Sequence, residues 1–257
     1  MQPDVTDLMN FYGRPIGGMV RRILAQRIRA RWPNCKGATL IGLGYATPYL
    51  SSFRGEVQRL MALMPATQGA VVWPSTGPVM TVVIDSESLP LADNSVDYLI
   101  AIHALELTDN IRAALREIWR VLKPEGRLLL VVPNRRGLWA RFDHTPFGAG
   151  QPFSTGQIRR LLTDAMLTPV DVGTALHMPP LERRLILRSA MTIERMGGRV
   201  SPGFAGLVVV EARKELVVPM GRVAVARNLI KVLVPARGAT SSKASGQSAD
   251  AMFCSGG

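Results

Sequence analysis

Apolar and polar positions alternate along the chain at two different periods. Over residues 15–32, Ile16, Val20, Ile23, Leu24 and Ile28 recur at helical spacing, with Arg22, Gln26 and Arg29 on the other face. Pro15 suits the first turn of that helix, and Pro33 and Gly37 end it. The helix is expected to pack across one edge of a sheet or to form a lid. Short apolar runs follow at Ala38–Ile41, Val57–Met64, Val79–Ile84, Asp97–Ile102, Arg127–Val132, Val170–Thr174 and Leu207–Ala212. Their β-branched content and bounding glycines and prolines predict strands. The run at Arg127–Val132 is apolar almost throughout, as in a strand buried on both faces.

Between these runs the helical period returns. Ile111, Leu115, Ile118 and Leu122 predict a helix with Lys123 at its C-terminal end, stopped by Pro124 and Gly126. Ser154 opens another, with Gln157 completing a capping box and Ile158, Leu161, Leu162 and Ala165 on the apolar face. Leu181–Met196 reads as a basic helix or helical connection. Residues 66–77 are rich in breakers and predict a loop with room for one short strand, and residues 134–153 predict a long loop. Loops of that length tend to be functional. Strands alternating with helices predict a doubly wound α/β sheet. In such a sheet, ligands sit beyond the carboxyl ends of the strands. The informative positions are therefore Gly42 to Tyr45, Pro65, Asp85, His103 and Asn134.

Composition narrows the class. A chain of 257 residues with 47% hydrophobic and 19% charged residues has enough apolar content for a large core without staples. Its two cysteines, Cys35 and Cys254, suggest neither a disulfide framework nor a zinc site, and no metal ligand set is assigned. No apolar run approaches the ~18 residues of a membrane span, and the N-terminus lacks the apolar segment of a signal peptide, so a cytoplasmic location is expected. The net charge of +12 favours anionic partners, nucleic acid or an acidic protein, although diffuse solvated arginine gives the same total.

The candidate chemistry is modest residue by residue. The glycines at 42 and 44 let backbone approach a ligand closely, or simply make a tight turn. Asp85 can accept a hydrogen bond from an exocyclic amine, or form an Asx-turn with Ser88. His103 suits a base, a ligand wall or a packed strand end. His144 and His177 have no partners at metal spacing, and neither a nucleophile elbow nor a phosphate-loop lysine is present.

Order and spacing say more. "IGLGYATPYL", then "IDSESLPLADNSVDYLIAIHALE", then "ALREIWRVLKPEGRLLLVVPN" resembles the class I S-adenosylmethionine (SAM)-dependent methyltransferases of the methyltransferase-11 type. The resemblance covers roughly residues 38 to 170, and the whole chain is similar to a bacterial branch of these methyltransferase-like proteins. It implies a three-layer, mostly parallel, seven-stranded Rossmann-like sheet with SAM over the ends of the first four or five strands. Gly42, Leu43, Gly44 and Tyr45 would face the methionine moiety and ribose, Asp85 and Ser86 the adenine, and His103 and Leu105 the sulfonium. Asn134, Arg135 and Arg136 open the loop where substrate-binding insertions occur. The family's usual acid two places before the first glycine is Leu40 here, its acid at the end of the second strand is replaced by Met64 and Pro65, and the third glycine is Ala46. Gln58 or Gln68 would be the neutral substitutes.

The expected organisation is an N-terminal helical segment (1–37), a methyltransferase-like domain (38–217) and a basic tail (218–257) with the composition of a disordered segment. The expected activity is methyl transfer from SAM to an unidentified acceptor, with no catalytic residue assigned. The alternatives are a non-catalytic methyltransferase-like module that binds a partner, and an RNA-binding or RNA-modifying variant. A basic apolar stretch around Leu229–Val234 could instead touch an anionic membrane.

Overall fold

The computed structural model describes residues 3–142, 144–200 and 205–215. Seven strands form one sheet: β1 (Thr39–Gly44), β2 (Arg59–Pro65), β3 (Thr81–Ile84), β4 (Val96–Ile102), β5 (Leu122–Pro133), β6 (Leu167–Ala175) and β7 (Leu207–Lys214). Their order is β3-β2-β1-β4-β5-β7-β6. Six run in the same direction, and β7 alone of these strands runs antiparallel, between β5 and β6. The helices are α1 (Val5–Gly13), α2 (Pro15–Arg31), the single turn α3 (Thr47–Leu50), α4 (Ile111–Val121), α5 (Thr155–Asp164) and α6 (Arg184–Val200).

Strand residues alternate between two cores, as the two-residue period of a pleated strand requires. Leu40, Ile100, Ile102, Leu129, Val131 and Val209 join α1, α2 and α3 on one face. Ile41, Leu43, Leu99, Ala101, Leu128 and Leu130 join α4 and α5 on the other. Each fully buried aliphatic side chain of this kind contributes about 1.5–3 kcal/mol relative to exposure. The helix after Pro15 therefore covers a sheet face, correcting the expectation that it packs across an edge. Its apolar stripe finds partners along the middle strands, and Trp32 at its end donates to the buried Glu211 of β7 at 3.0 Å.

Other boundaries also shift. β5 begins at Leu122, immediately after α4, because Leu122 pairs with Val96 across an irregularity in the ladder. Residues 66–80 carry no strand. The long loop after β5 contains two short 3₁₀ turns, Trp139–Arg141 and Pro146–Gly148, whose Trp139 and Phe147 are buried. The sequence reading contained no helix at α1, yet this helix has a complete capping box: Asp4 accepts from Asp7 N at 2.8 Å and Asp7 reaches back to Asp4 N. Gly17 lets α1 close on α2, since a Cβ there would lie 2.0 Å from the Phe11 carbonyl oxygen. The tail from residue 218, including Leu229–Val234, lies outside the described residues. Among those described, no helix is long and apolar enough to cross a membrane, and no cluster of His, Cys, Asp or Glu could hold a metal ion.

Candidate functional site

The carboxyl ends of β1 and β4 are pressed together. β1 ends at Gly44 with φ +76°, where a Cβ would lie 2.4 Å from the Ile102 carbonyl oxygen and 2.7 Å from that of His103. The chain then turns through Tyr45 and Ala46 into α3. Gly42 has a different reason to be small: a Cβ there would meet Leu50 and Ala46 at 2.7 and 2.8 Å, so it seats α3 on the strand. β4 runs out into His103 at φ +52°, a sparsely populated conformation for a residue with a side chain.

Three segments converge on His103. Gln68, buried in the loop after β2, donates from Nε2 to the His103 carbonyl oxygen at 2.9 Å. Because β1 lies between β2 and β4, this side chain crosses the end of β1. From α1, Tyr12 places its hydroxyl 2.9 Å from His103 Nε2, and Tyr49 of α3 donates to the Tyr12 oxygen at 2.9 Å. The Tyr12 proton is thereby directed at Nε2, so the His103 proton belongs on Nδ1. Nδ1 faces Glu106 at 3.5 Å. The Tyr12 ring stacks on Tyr45 at 5.5 Å between centroids, and Phe147 packs on the His103 ring at 4.7 Å. Burial pushes the Tyr12 and Tyr49 phenols well above their ordinary pKa, so both are neutral donors at pH 7.

Two hollows flank this crossing. One, of about 330 Å³, lies over the ends of β2, β3 and β4 and is lined by Pro65, Ile84, Asp85, Ser86, Ala104 and Leu107, with Gln68 and His103 at its inner wall. The other, of about 980 Å³, opens between α2, α3 and the loop after β2, with Tyr12, Arg21, Arg22, Tyr45 and Trp73 among its walls.

This geometry matches known proteins. Residues 40–130 match the family model of a methyltransferase domain. That stretch, residues 40–130, carries the likeness to a methyltransferase domain. A ubiquinone/menaquinone biosynthesis C-methyltransferase of Rubrivivax gelatinosus is 46% identical over 56 residues, 22% of each chain. A malonyl-[acyl-carrier protein] O-methyltransferase of Alcanivorax borkumensis is 41% identical over 68 residues, 24% of this chain and 23% of that one. The matches thus span less than a quarter of these relatives' lengths. Among solved structures, a chain of the complex between the Haloferax volcanii Trm112 methyltransferase activator and a methyltransferase superposes with a TM-score of 0.61 at 22% identity, covering 82% of this chain and 98% of that one. A SAM-dependent methyltransferase of Thermotoga maritima gives 0.59 at 16% identity, covering 82% and 96%. These likenesses show the fold.

This methyltransferase-like fold distributes the sequence-derived candidates unevenly. Asp85, Ser86 and His103 line the smaller hollow, and Tyr45 lines the larger. Asp85 also makes the Asx-turn, its Oδ1 accepting from Glu87 N at 2.9 Å. The side chains of Leu43 and Leu105 lie in the core beneath, so only their backbone can face a ligand. Asn134 is buried, donating to the Ala205 carbonyl at 2.8 Å and accepting from Arg136 N at 3.2 Å. Arg135 is exposed and donates to the Pro152 carbonyl. Tyr12 and Glu106 were missing from the sequence reading. Leu8, Phe11 and Tyr12 at helical spacing after the Asp4/Asp7 cap would have revealed the first.

The residues at hand fit the nucleoside half of SAM. The smaller hollow combines apolar walls with the acceptors of Asp85 and Ser86. Leu40 and Met64 are fully buried in the core and offer no polar contact. Gln68 Oε1, His103 Nδ1 and both oxygens of Glu106 are buried without a hydrogen-bond partner, and of these residues Gln68 and His103 line the smaller hollow.

Proposed function

We propose that this chain is a SAM-dependent methyltransferase acting on an anionic or amphipathic acceptor. The observation that carries this reading is the hollow at the ends of β2, β3 and β4, beside the Gly44 turn and carrying Asp85 and Ser86. It lies at the carboxyl ends of the strands, where open α/β sheets place their ligands. SAM, when bound, supplies an electrophilic methyl group on a sulfonium. The chain's own part is to bind and orient. Asp85 and Ser86 would hold the adenosine, and the Gly44 turn admits close backbone approach. Tyr12 and Phe147 pack against the buried His103 ring, whose Nε2 faces the Tyr12 hydroxyl. Holding the reacting groups in line in a dry site supplies most of the rate in such displacements.

The larger hollow supports the choice of acceptor. Arg21 and Arg22 line it, no carboxylate does so among the described residues, and it reaches Tyr12 and Tyr45. A second reading, a non-catalytic partner-binding module, is favoured by Gln68 and Tyr12, which cross the site between the two hollows. Titration calorimetry with SAM and S-adenosylhomocysteine separates the two. Saturable heat supports the enzyme reading, and no detectable heat at millimolar ligand overturns it in favour of the second.

A further inference from the structure

The two edges of the sheet are unlike. β6 forms one and β3 the other. β6 carries devices that keep an edge strand from pairing further: Pro169, a register shift between Pro169 and Asp171, and an ion pair from Asp171 to Arg31 of α2. β3 is short but carries none of them. Its register against β2 is regular from Thr81 to Ile84, and residues 78–84, "PVMTVVI", hold no charge. Val79, Val82 and Val83 are exposed there, as is Val72 in the preceding loop. Four of the ten large apolar side chains exposed among the described residues thus gather at one edge.

Backbone hydrogen bonds give the direction in which that edge faces. Ala62 N donates to the Met80 carbonyl at 2.8 Å and Ala66 N to the Ile84 carbonyl at 2.9 Å, so Met80 and Ile84 turn toward β2. Alternation then turns the N–H and C=O of Thr81 and Val83 to the free side. Charge lies only at the two ends of the strand. Glu87 is exposed just beyond its C-terminal end. Ahead of its N-terminal end, Arg54 brings Nη2 to 3.9 Å from the Cβ position of Gly77, and Arg54 makes no ion pair among the described residues.

We propose that β3 is a self-association edge, pairing antiparallel with β3 of a second copy of this chain about a two-fold axis at Val82. The two-fold makes the contact self-complementary. Thr81 and Val83 of one copy exchange backbone hydrogen bonds with Val83 and Thr81 of the other, and the Val82 side chains meet on the axis as a close, non-hydrogen-bonded pair. The same register sets Glu87 opposite Gly77 of the second copy, beside Arg54 of that copy. The contact therefore joins opposite charges at each end and no like charges in its middle. An unrelated strand could use the same backbone groups, but the matching of these ends selects a second copy. β3 offers only four residues, so the contact is small and a Kd on the order of 1–100 μM is expected. The proposal does not depend on the methyltransferase reading.

Sedimentation velocity on the full chain, from about 1 to about 200 μM, tests it. The average mass should climb from 28.0 kDa toward twice that value. Val82→Lys and Val82→Asp each set like charges face to face on the axis, and each should raise the Kd at least about tenfold. An equimolar mixture of the two variants should regain the dimer, because the mixed pair alone carries opposite charges. Glu87→Arg should weaken the wild-type dimer by about 3- to 10-fold, and adding Arg54→Glu to the same chain should restore it. A wild type that stays at 28.0 kDa over the whole range overturns the proposal and leaves the edge to another partner or to solvent. A dimer that survives both Val82 variants uses a different surface and overturns it too. Single variants that dissociate, with recovery neither in the mixture nor in the charge swap, also reject it.

Discussion

Replacing Gly44 by alanine tests whether β1 and β4 are held edge to edge as described. The added Cβ would lie 2.4 Å from the Ile102 oxygen, 2.7 Å from the His103 oxygen and 2.9 Å from the His103 carbonyl carbon, all backbone atoms of a central strand. None is the free end of a flexible side chain, so the strand ends must separate. Holding alanine at φ +76° costs about 1–2 kcal/mol, and forcing backbone apart in a packed region costs about 1–3 kcal/mol more. The expected loss is about 2–5 kcal/mol, a large part of the ~5–15 kcal/mol that holds a domain together. Urea unfolding followed by circular dichroism measures it, with an unchanged m-value showing that the surface exposed on unfolding is the same. Gly18→Ala is the companion. It lies within α2 with nothing within 4 Å of its Cβ position, so alanine there should stabilise by about 0.8–1 kcal/mol. A Gly44→Ala protein within about 0.5 kcal/mol of wild type would refute the described contact between the strand ends.

Two further outcomes follow from buried polar groups. Lys214 is 1% exposed, donates to Asn94 Oδ1 at 2.7 Å and the Leu122 carbonyl at 2.8 Å, and lies 4.0 Å over the Trp119 ring. Lys214→Ala should cost about 2–4 kcal/mol, read as a lowered melting temperature, and a drop equivalent to under ~1 kcal/mol would argue against the clamp. On the alkaline side, burial raises the Tyr12 and Tyr49 phenols and lifts the Cys35 thiol to about 11. The folded protein therefore keeps protons that the unfolded chain releases from about pH 8.5 (thiol) and pH 10 (phenols). This contribution is full below those values and is lost as pH rises through the folded ones. Urea midpoints from pH 8 to 11 should fall, and fall less steeply above pH 10 in Tyr12→Phe/Tyr49→Phe; identical slopes would count against the buried phenols.

The sequence by itself determined those features that local chemistry can specify. The stripe Leu115 and Ile118 required α4, Ser154 required a cap (it accepts from Gln157 N at 3.2 Å), and the apolar run at Leu128–Val132 required a doubly covered strand. Asp85 fell at a strand end beside a hollow because strand ends are where such sheets expose their turns. Boundaries failed where pairing overrode propensity, as at Leu122, drawn into β5 by Val96. The helix α1 was short and its apolar face ambiguous until Gly17 and the sheet gave that face something to cover.

Tertiary structure alone decided the inside of the site. Tyr12 and His103 are 91 residues apart, Gln68 reaches His103 across an intervening strand, and Glu106 looks like an ordinary exposed residue of "HALEL" until Gly150 and Phe147 close over that turn. Periodicity records which face of an element is buried, because that depends on neighbours three or four positions away. It holds no record of which distant side chains meet at a strand end, because that is set by the order in which the strands pair.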